Sequence, residues 1–295
     1  MSRTRPPGAL AAAALVAMAL VALLAGCGSG SGSSITAPTV APAQTYSLAG
    51  FQPSGTIVPG KPTMMTFDIK QPNGRTLTQY KTGPGPHTGV HLIVVRDDLA
   101  YIIHQHPPIP PSGVLHQSVT FPAPGPYHVL VDVYPDIPGG QPNFQLFRNV
   151  TVTGAYHPIK LPPFKAHQVI DGVHFEMQPH PAIHAIQAVF LHVNVTDAHG
   201  KPIQFTPWFG ALAHAIFFQE GTLNYFHTHV CAPDAPNCGS LAGAPKISGT
   251  STSPGKLTLG VLLPVPGTWR LFVQLKVRGR VVTAPFTLNV ASETQ

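Results

Sequence analysis

The chain has 295 residues, with 17 Lys and Arg against 11 Asp and Glu, so its net charge is +6 when histidines are neutral. The basic residues form no cluster in the sequence, which argues against a nucleic-acid-binding protein. There are 34 prolines and 28 glycines, and short runs rich in Val, Ile, Phe and Thr alternate with turn residues. No long stretch shows helical periodicity, so this composition predicts an all-β protein.

The first 44 residues carry a pattern typical of export. Two arginines precede an uncharged apolar run, Ala9–Leu24, which is shorter than the roughly 20 residues that a membrane-spanning helix needs. Small residues then lead to Cys27, and this order resembles the lipobox of bacterial lipoproteins. The resemblance implies a signal peptide (1–26), a lipid on Cys27 and an extracytoplasmic protein anchored to the bacterial cell membrane. An uncleaved transmembrane anchor is the alternative. Residues 27–44, rich in Gly, Ser and Pro, are predicted to be a flexible tether.

The other two cysteines, Cys231 and Cys238, are seven positions apart in the sequence. An exported chain enters an oxidising compartment, and an even number of remaining cysteines then favours a disulfide. The alternative is that the two are free thiols that bind a metal ion.

The remaining chain is predicted to contain one domain twice. Asp68–Leu77 is similar to Asn194–Ile203. In each segment a strand leads into a turn at a glycine, and a basic residue follows that glycine. Pro124–Val131 is similar to Pro266–Val273, because in each a Pro-Gly turn leads into a strand that begins with an aromatic residue. The separation between the copies is a domain's length. The predicted units are a first β-sandwich at residues 45–154, a proline-rich linker at 155–168 and a second β-sandwich at 169–292.

Histidine is unusually frequent, with 16 copies. Both predicted domains contain three histidines with the same spacing. Twelve residues separate the first histidine from the second, and one residue separates the second from the third. The members are His91, His104 and His106 in the first domain and His214, His227 and His229 in the second. Since histidine is the commonest metal ligand, each triad is a candidate metal site.

A β-hairpin would bring each triad together. With two-residue turns at Asp97-Asp98 and Glu220-Gly221, His91 faces His104 and His106 points to the same side of the sheet. Three neutral imidazoles on one face suit a copper or zinc ion. We therefore expect one tri-histidine site per domain, beside apolar residues and at a loop-lined end of each sandwich. The alternative is that these histidines are hydrogen-bonded structural residues.

No fourth ligand occupies matching positions in the two domains. The candidates are His87, His116, His128, His192 and His199. Asp132 lies on a predicted strand of the first domain, but its counterpart in the second is Gln274, so the triads share no carboxylate that could act as a general base.

Short motifs around the triads resemble exported bacterial immunoglobulin-like domains of the YtkA-like and CopC-like kind. In that group a Gly-x-x-His strand precedes a His-x-His-Pro strand end and a strand that begins Gly-(Tyr/Trp)-Arg-Leu-Phe. The matching segments are Pro86–His91, His104–Pro107 and Gly125–His128, then Gly210–His214, His227–His229 and Gly267–Phe272. The resemblance implies immunoglobulin-like sandwiches and extracytoplasmic handling of copper or another metal. The chain departs from it at Val230, which replaces proline, and in lacking the N-terminal histidine that CopC-like copper binding uses.

Three functions remain open. The favoured one is a non-enzymatic lipoprotein that captures, buffers or delivers copper or zinc, with the membrane and a metal-trafficking protein as partners. The second is a tandem immunoglobulin-like interaction or adhesion module without a metal. The third, a zinc hydrolase with a metal-bound water, is weakened because the chain lacks a shared general base and the Gly-x-Ser-x-Gly and His-Glu-x-x-His motifs.

Overall fold

A computed structural model of the protein describes residues 45–83, 87–230 and 253–293. The predicted signal peptide, the tether with Cys27, and the pair Cys231 and Cys238 lie outside these ranges. Within the described ranges, no helix is long and apolar enough to cross a membrane.

The first domain is a sandwich of two antiparallel sheets. Its strands are β1 (Ser47–Gln52), β2 (Pro62–Lys70), β3 (Val90–Arg96), β4 (Ile102–Gln105), β5 (Leu115–Thr120), β6 (Gly125–Val133) and β7 (Phe144–Val152). The sheet orders are β1-β2-β5 and β4-β3-β6-β7. Alternate side chains of both sheets point inward and bury a core that includes Phe67, Leu92 and Tyr127. This division of antiparallel strands between two sheets is immunoglobulin-like, so the predicted fold class is confirmed.

The second domain repeats this plan with additional strands. Its strands are β8 (His167–Ile170), β9 (Val173–Met177), β10 (Ile183–His184), β11 (Val189–Thr196), β12 (Ala213–Gln219), β13 (Tyr225–Val230), β14 (Lys256–Val261), β15 (Gly267–Val277) and β16 (Arg280–Ala291). The sheet orders are β14-β11-β9-β8 and β10-β16-β15-β12-β13. Strand β8 begins inside the segment predicted as linker.

A pair of equivalent hydrogen bonds, one in each domain, shows how closely the two domains correspond. The Tyr127 hydroxyl donates to the carbonyl of Ala123 at 2.9 Å, four residues upstream. In the second domain the Trp269 indole N–H donates to the carbonyl of Val265 at 3.1 Å, also four residues upstream. The first contact is a tyrosine corner, a feature of immunoglobulin-like sandwiches, and the second is its tryptophan equivalent.

Strands β3 and β12 are buried along their whole length. In β3, Leu92 and Val94 point into the first sandwich, whereas Ile93 and Val95 point to its outer side. An outer face stays buried only if something covers it. Here each domain covers the other, because Ile216 of β12 packs in the same cluster as Ile93.

The two sandwiches belong to one compact unit. The cluster that joins them, called here the interdomain apolar cluster, contains Ile93, Val95, Leu99, Leu130, Ile216, Phe218 and Phe272. Leu161 of the linker packs against it. The linker is also held at Ile159, whose backbone N–H donates to the Asp98 carboxylate at 2.8 Å. The same carboxylate forms a buried ion pair with Arg96 at 2.7 Å.

Candidate metal centre

The two hairpins that carry the triads have a different register from the predicted one. His104 pairs with Ile93 and His227 with Ile216, so the expected direct pairing of His91 with His104 is wrong. The turns are four-residue loops rather than two-residue turns, because Arg96 N–H donates to Tyr101 O, which closes a loop over residues 97–100. Since this shifts the register by two residues, each histidine keeps the face that was predicted for it.

The two triads meet at the domain interface and form one group of seven rings, called here the histidine cluster. Its members are His87, His91, His104, His106, His214, His227 and His229. The ring centroids of His91 and His227, which belong to different domains, are 5.3 Å apart. Those of His104 and His214 are 4.9 Å apart. Each triad therefore lies against the other domain, and not only at a loop-lined end of its own sandwich as expected.

Two overlapping sets of three histidines have the spacing of metal ligands. His91, His104 and His227 form one set, which takes ligands from both domains, and His214, His227 and His229 form the other. In each set, one ring nitrogen per residue lies within 4.8 Å of the others. His227 is common to both sets. The predicted set of His91, His104 and His106 is not one of them, because His227 takes the place of His106.

Several ring nitrogens already lie at the spacing of atoms around one ion. His214 Nδ1 is 3.2 Å from His227 Nε2, His104 Nε2 is 3.2 Å from His106 Nε2, and His229 Nδ1 is 3.0 Å from His87 Nε2. A tetrahedral zinc ion with bonds of about 2.0–2.1 Å separates its nitrogens by roughly 3.3 Å. The spacing fits both a hydrogen bond and a shared ion.

Unpartnered nitrogens favour the ion. In the part of the chain that the structure describes, His104 Nδ1, His227 Nδ1 and His229 Nε2 are buried and have no hydrogen-bond partner. Each such atom costs about 1–3 kcal/mol when it stays unsatisfied. An all-imidazole ligand set suits copper and zinc, so the donors that are present fit the predicted metal.

One histidine is already oriented as a ligand. His214 Nε2 lies 2.9 Å from the backbone carbonyl of Trp208 and must carry the proton, because a carbonyl can only accept. The Nδ1 lone pair of the neutral ring then points toward His227. Metal-binding histidines commonly donate their second N–H to a carbonyl, which fixes the ring and its tautomer.

Burial favours the neutral form of five of these rings. It lowers the pKa of His214 to about 4 and that of His106 to about 3. Burial, together with the neighbouring histidines, lowers the pKa of His104, His227 and His229 well below the ordinary value. Neutral imidazole is the form that binds metal, so the cluster is ready for an ion at neutral pH.

Residues 45–150 and 167–292 match the model of a protein family that is described as a domain of unknown function, DUF8832. The chain belongs to the DUF8832 family. It carries the domain in two copies. No curated protein matches the chain. These comparisons give no support to the resemblance to YtkA-like and CopC-like domains.

Three solved structures that match the chain have low sequence identity to it. Salmonella alpha-2-macroglobulin is 13% identical over 84% of this chain and 15% of that one, with a TM-score of 0.27. Invasin, a bacterial integrin-binding protein, is 16% identical over 85% of this chain and 40% of that one, with a TM-score of 0.22. Fibronectin(III)-like modules of Clostridium thermocellum CbhA are 9% identical over 84% of this chain and 94% of that one, with a TM-score of 0.22.

Each DUF8832 domain also contributes a loop residue to the other domain's histidines. His87, just before β3, contacts His229 of the second domain. Phe209, just before β12, stacks on His106 of the first domain with ring centroids 3.8 Å apart. His87 was one of the fourth-ligand candidates, whereas Phe209 was missed. The signal for Phe209 in the sequence is the glycine that follows it, since glycine is common in turns. In the structure this segment is a turn in which Phe209 and Gly210 both have positive φ.

Asp132 of the first DUF8832 domain also borders the histidine cluster. It lies opposite His91 across the β3–β6 pair and is only 2% exposed. Burial raises its pKa, and hydrogen bonds from Gln145 and Asn143 oppose this effect. The sequence predicts the strand that carries Asp132 but no role for this residue, because its counterpart is Gln274.

The remaining fourth-ligand candidates have surroundings of their own. His116 contacts the Thr66 hydroxyl, His128 contacts Asn149 and His192 contacts Thr258. His199 is exposed. None of these four belongs to the ligand sets found among the described residues.

Proposed function

We propose that this protein binds one copper or zinc ion in the histidine cluster between its two DUF8832 domains. The observation that carries the proposal is the pair of overlapping ligand sets that share His227. We further propose that the protein works outside the cytoplasm as a lipoprotein anchored through Cys27, and that it captures, buffers or delivers the metal to a trafficking partner. The export pattern of the first 44 residues supports this second part.

A single ion is favoured over the two that the sequence predicted. Both ligand sets need His227, so two ions would compete for one residue. The cluster is also buried, with His91 and His214 at 0% exposure. Bringing charge into such a place is costly, and a second divalent ion adds two more positive charges among neutral ligands.

Metal content of the purified full chain tests the proposal. After loading with Zn²⁺ or Cu²⁺ and desalting, we expect one ion per chain. His227→Ala should remove it, because both ligand sets lose a member. The exposed His116 provides the matched control, and His116→Ala should keep the ion. If His227→Ala instead retained one of two ions, each domain would have its own site. No ion in the wild type would refute the metal function and favour the interaction module.

Copper loading should also quench the fluorescence of one particular tryptophan. The Trp208 ring lies 5.1 Å from His214 and 5.5 Å from His104, measured between centroids. Paramagnetic Cu²⁺ quenches indole emission at short range, whereas Zn²⁺ does not. The chain has two tryptophans, and Trp269 is buried in the core of the second domain. Titration of Cu²⁺ should therefore quench the wild type strongly and Trp208→Phe weakly. Equal quenching in both proteins would place the ion elsewhere.

A further inference from the structure

Asp132 is a buried carboxylate beside one of the proposed ligands. It lies opposite His91 on neighbouring antiparallel strands, so both side chains lie on the same side of the sheet. The Cβ atoms of such a pair are about 4.5–5.5 Å apart. A negative charge on Asp132 would therefore act at short range on an ion that His91 binds.

Four side chains of the described residues can donate a hydrogen bond to Asp132. Gln145 Nε2 is 3.2 Å and Asn143 Nδ2 is 3.4 Å from Oδ1, while the hydroxyls of Tyr134 and Tyr225 are 3.3 and 3.5 Å from Oδ2. Tyr225 belongs to the second domain, so the carboxylate is enclosed by both. The two amide N–H groups at Oδ1 can only donate, and donors of this kind favour the ionised carboxylate.

Within the part of the chain that the structure describes, Asp132 forms no ion pair with Lys or Arg. Among the ion pairs of the described residues, the aspartates that pair with Lys or Arg are Asp68, Asp98 and Asp197. Buried carboxylates are ordinarily paired with a cation or close to a metal ion. The histidine cluster on the same side of the sheet is where such an ion would lie.

In the second domain, the position equivalent to Asp132 carries an uncharged residue, Gln274. Gln274 lies opposite His214 as Asp132 lies opposite His91, and it is 3% exposed. Its amide Nε2 donates to the Thr283 hydroxyl at 3.0 Å. The two halves of the cluster thus have matching histidines but differ by one negative charge.

We propose that the charge of Asp132 makes the histidine cluster prefer a divalent cation, such as Cu²⁺ or Zn²⁺, over a monovalent one. This rests on the proposed function. Imidazoles are neutral and bind either kind of ion, whereas attraction to the Asp132 carboxylate is proportional to the charge of the ion. The carboxylate therefore favours two charges over one.

The test compares Zn²⁺ with Ag⁺, a monovalent ion that does not change oxidation state, on the full chain. Asp132→Asn keeps the shape of the side chain and removes the charge. We expect its Kd for Zn²⁺ to rise about 10–100-fold, as for other residues that support ligands. The Kd for Ag⁺ should rise only about 3–10-fold, because the energy lost is half as large for a single charge.

Two further variants distinguish the effect of losing the Asp132 charge from the effect of structural damage. Asp171→Asn removes an equal charge at an exposed turn of the second domain and should leave both affinities unchanged. Gln274→Glu places a carboxylate at the equivalent position, so in the Asp132→Asn background it should restore part of the preference for Zn²⁺. Equal losses for both ions in Asp132→Asn, or no loss, would overturn the role of Asp132 and leave the metal site intact. A wild-type chain that binds neither ion would overturn both proposals.

Discussion

Between about pH 6.5 and pH 4, the metal-free chain is expected to lose several kcal/mol of its unfolding free energy. The pKa of His214 falls from 6.5 when unfolded to about 4 when folded, because burial disfavours the charged ring. In this interval the unfolded chain binds a proton that the folded chain does not, so stability decreases as the pH falls. This residue alone contributes about 1.4 kcal/mol per pH unit, or about 3 kcal/mol in all. His104, His227 and His229 act in the same direction, since burial lowers their pKa values too.

Urea unfolding with a chelator present, at a series of pH values, measures this loss. Replacing a buried histidine by an apolar residue of similar size, as in His214→Leu, should reduce the slope by about 1.4 kcal/mol per pH unit. His199 is exposed, and His199→Gln should leave the slope unchanged. Constant stability across the interval would show that the cluster is hydrated or charged in the folded chain, contrary to its burial.

The fold could be predicted because it depends on local patterns. Turn residues separate short apolar runs, and the predicted match of Pro124–Val131 with Pro266–Val273 corresponds to β6 and β15, which carry Tyr127 and Trp269 in equivalent contacts. The predicted hairpin register is wrong because it assumes that His91 faces His104, which centres the turn on Asp97-Asp98. Leu99 takes a positive φ of 59°, a conformation that sequence rules do not assign to leucine.

The six triad histidines could be found from the sequence, but their grouping could not. Their faces were predicted correctly because a register shift of two preserves the side of the sheet. Which histidines share an ion depends on how the two domains pack, and that depends on residues such as Ile93 and Phe218 of the interdomain apolar cluster. The sequence showed apolar residues beside each triad. It did not show that each apolar face would be buried by the other rather than by a loop of its own domain.

Metal binding is expected to stabilise both domains together. An ion present at about a thousand times its Kd raises the unfolding free energy by about 4 kcal/mol when it binds only the folded state. His91 and His104 come from the first domain and His227 from the second, so unfolding of either domain removes ligands. With Zn²⁺ present, calorimetry should therefore show one transition at a higher Tm that includes both domains.

The same measurement on variants tests whether the ion joins the domains. His227→Ala should remove the gain, whereas the His199→Gln protein should show the gain of the wild type, because His199 is exposed and outside both ligand sets. If Zn²⁺ raised the Tm of only part of the chain and left a second transition unchanged, the ion would bind within one domain, as His214, His227 and His229 could do alone. A shared transition that moves with Zn²⁺ is the result expected for an ion that bridges the interface, because such an ion loses its site when either sandwich unfolds.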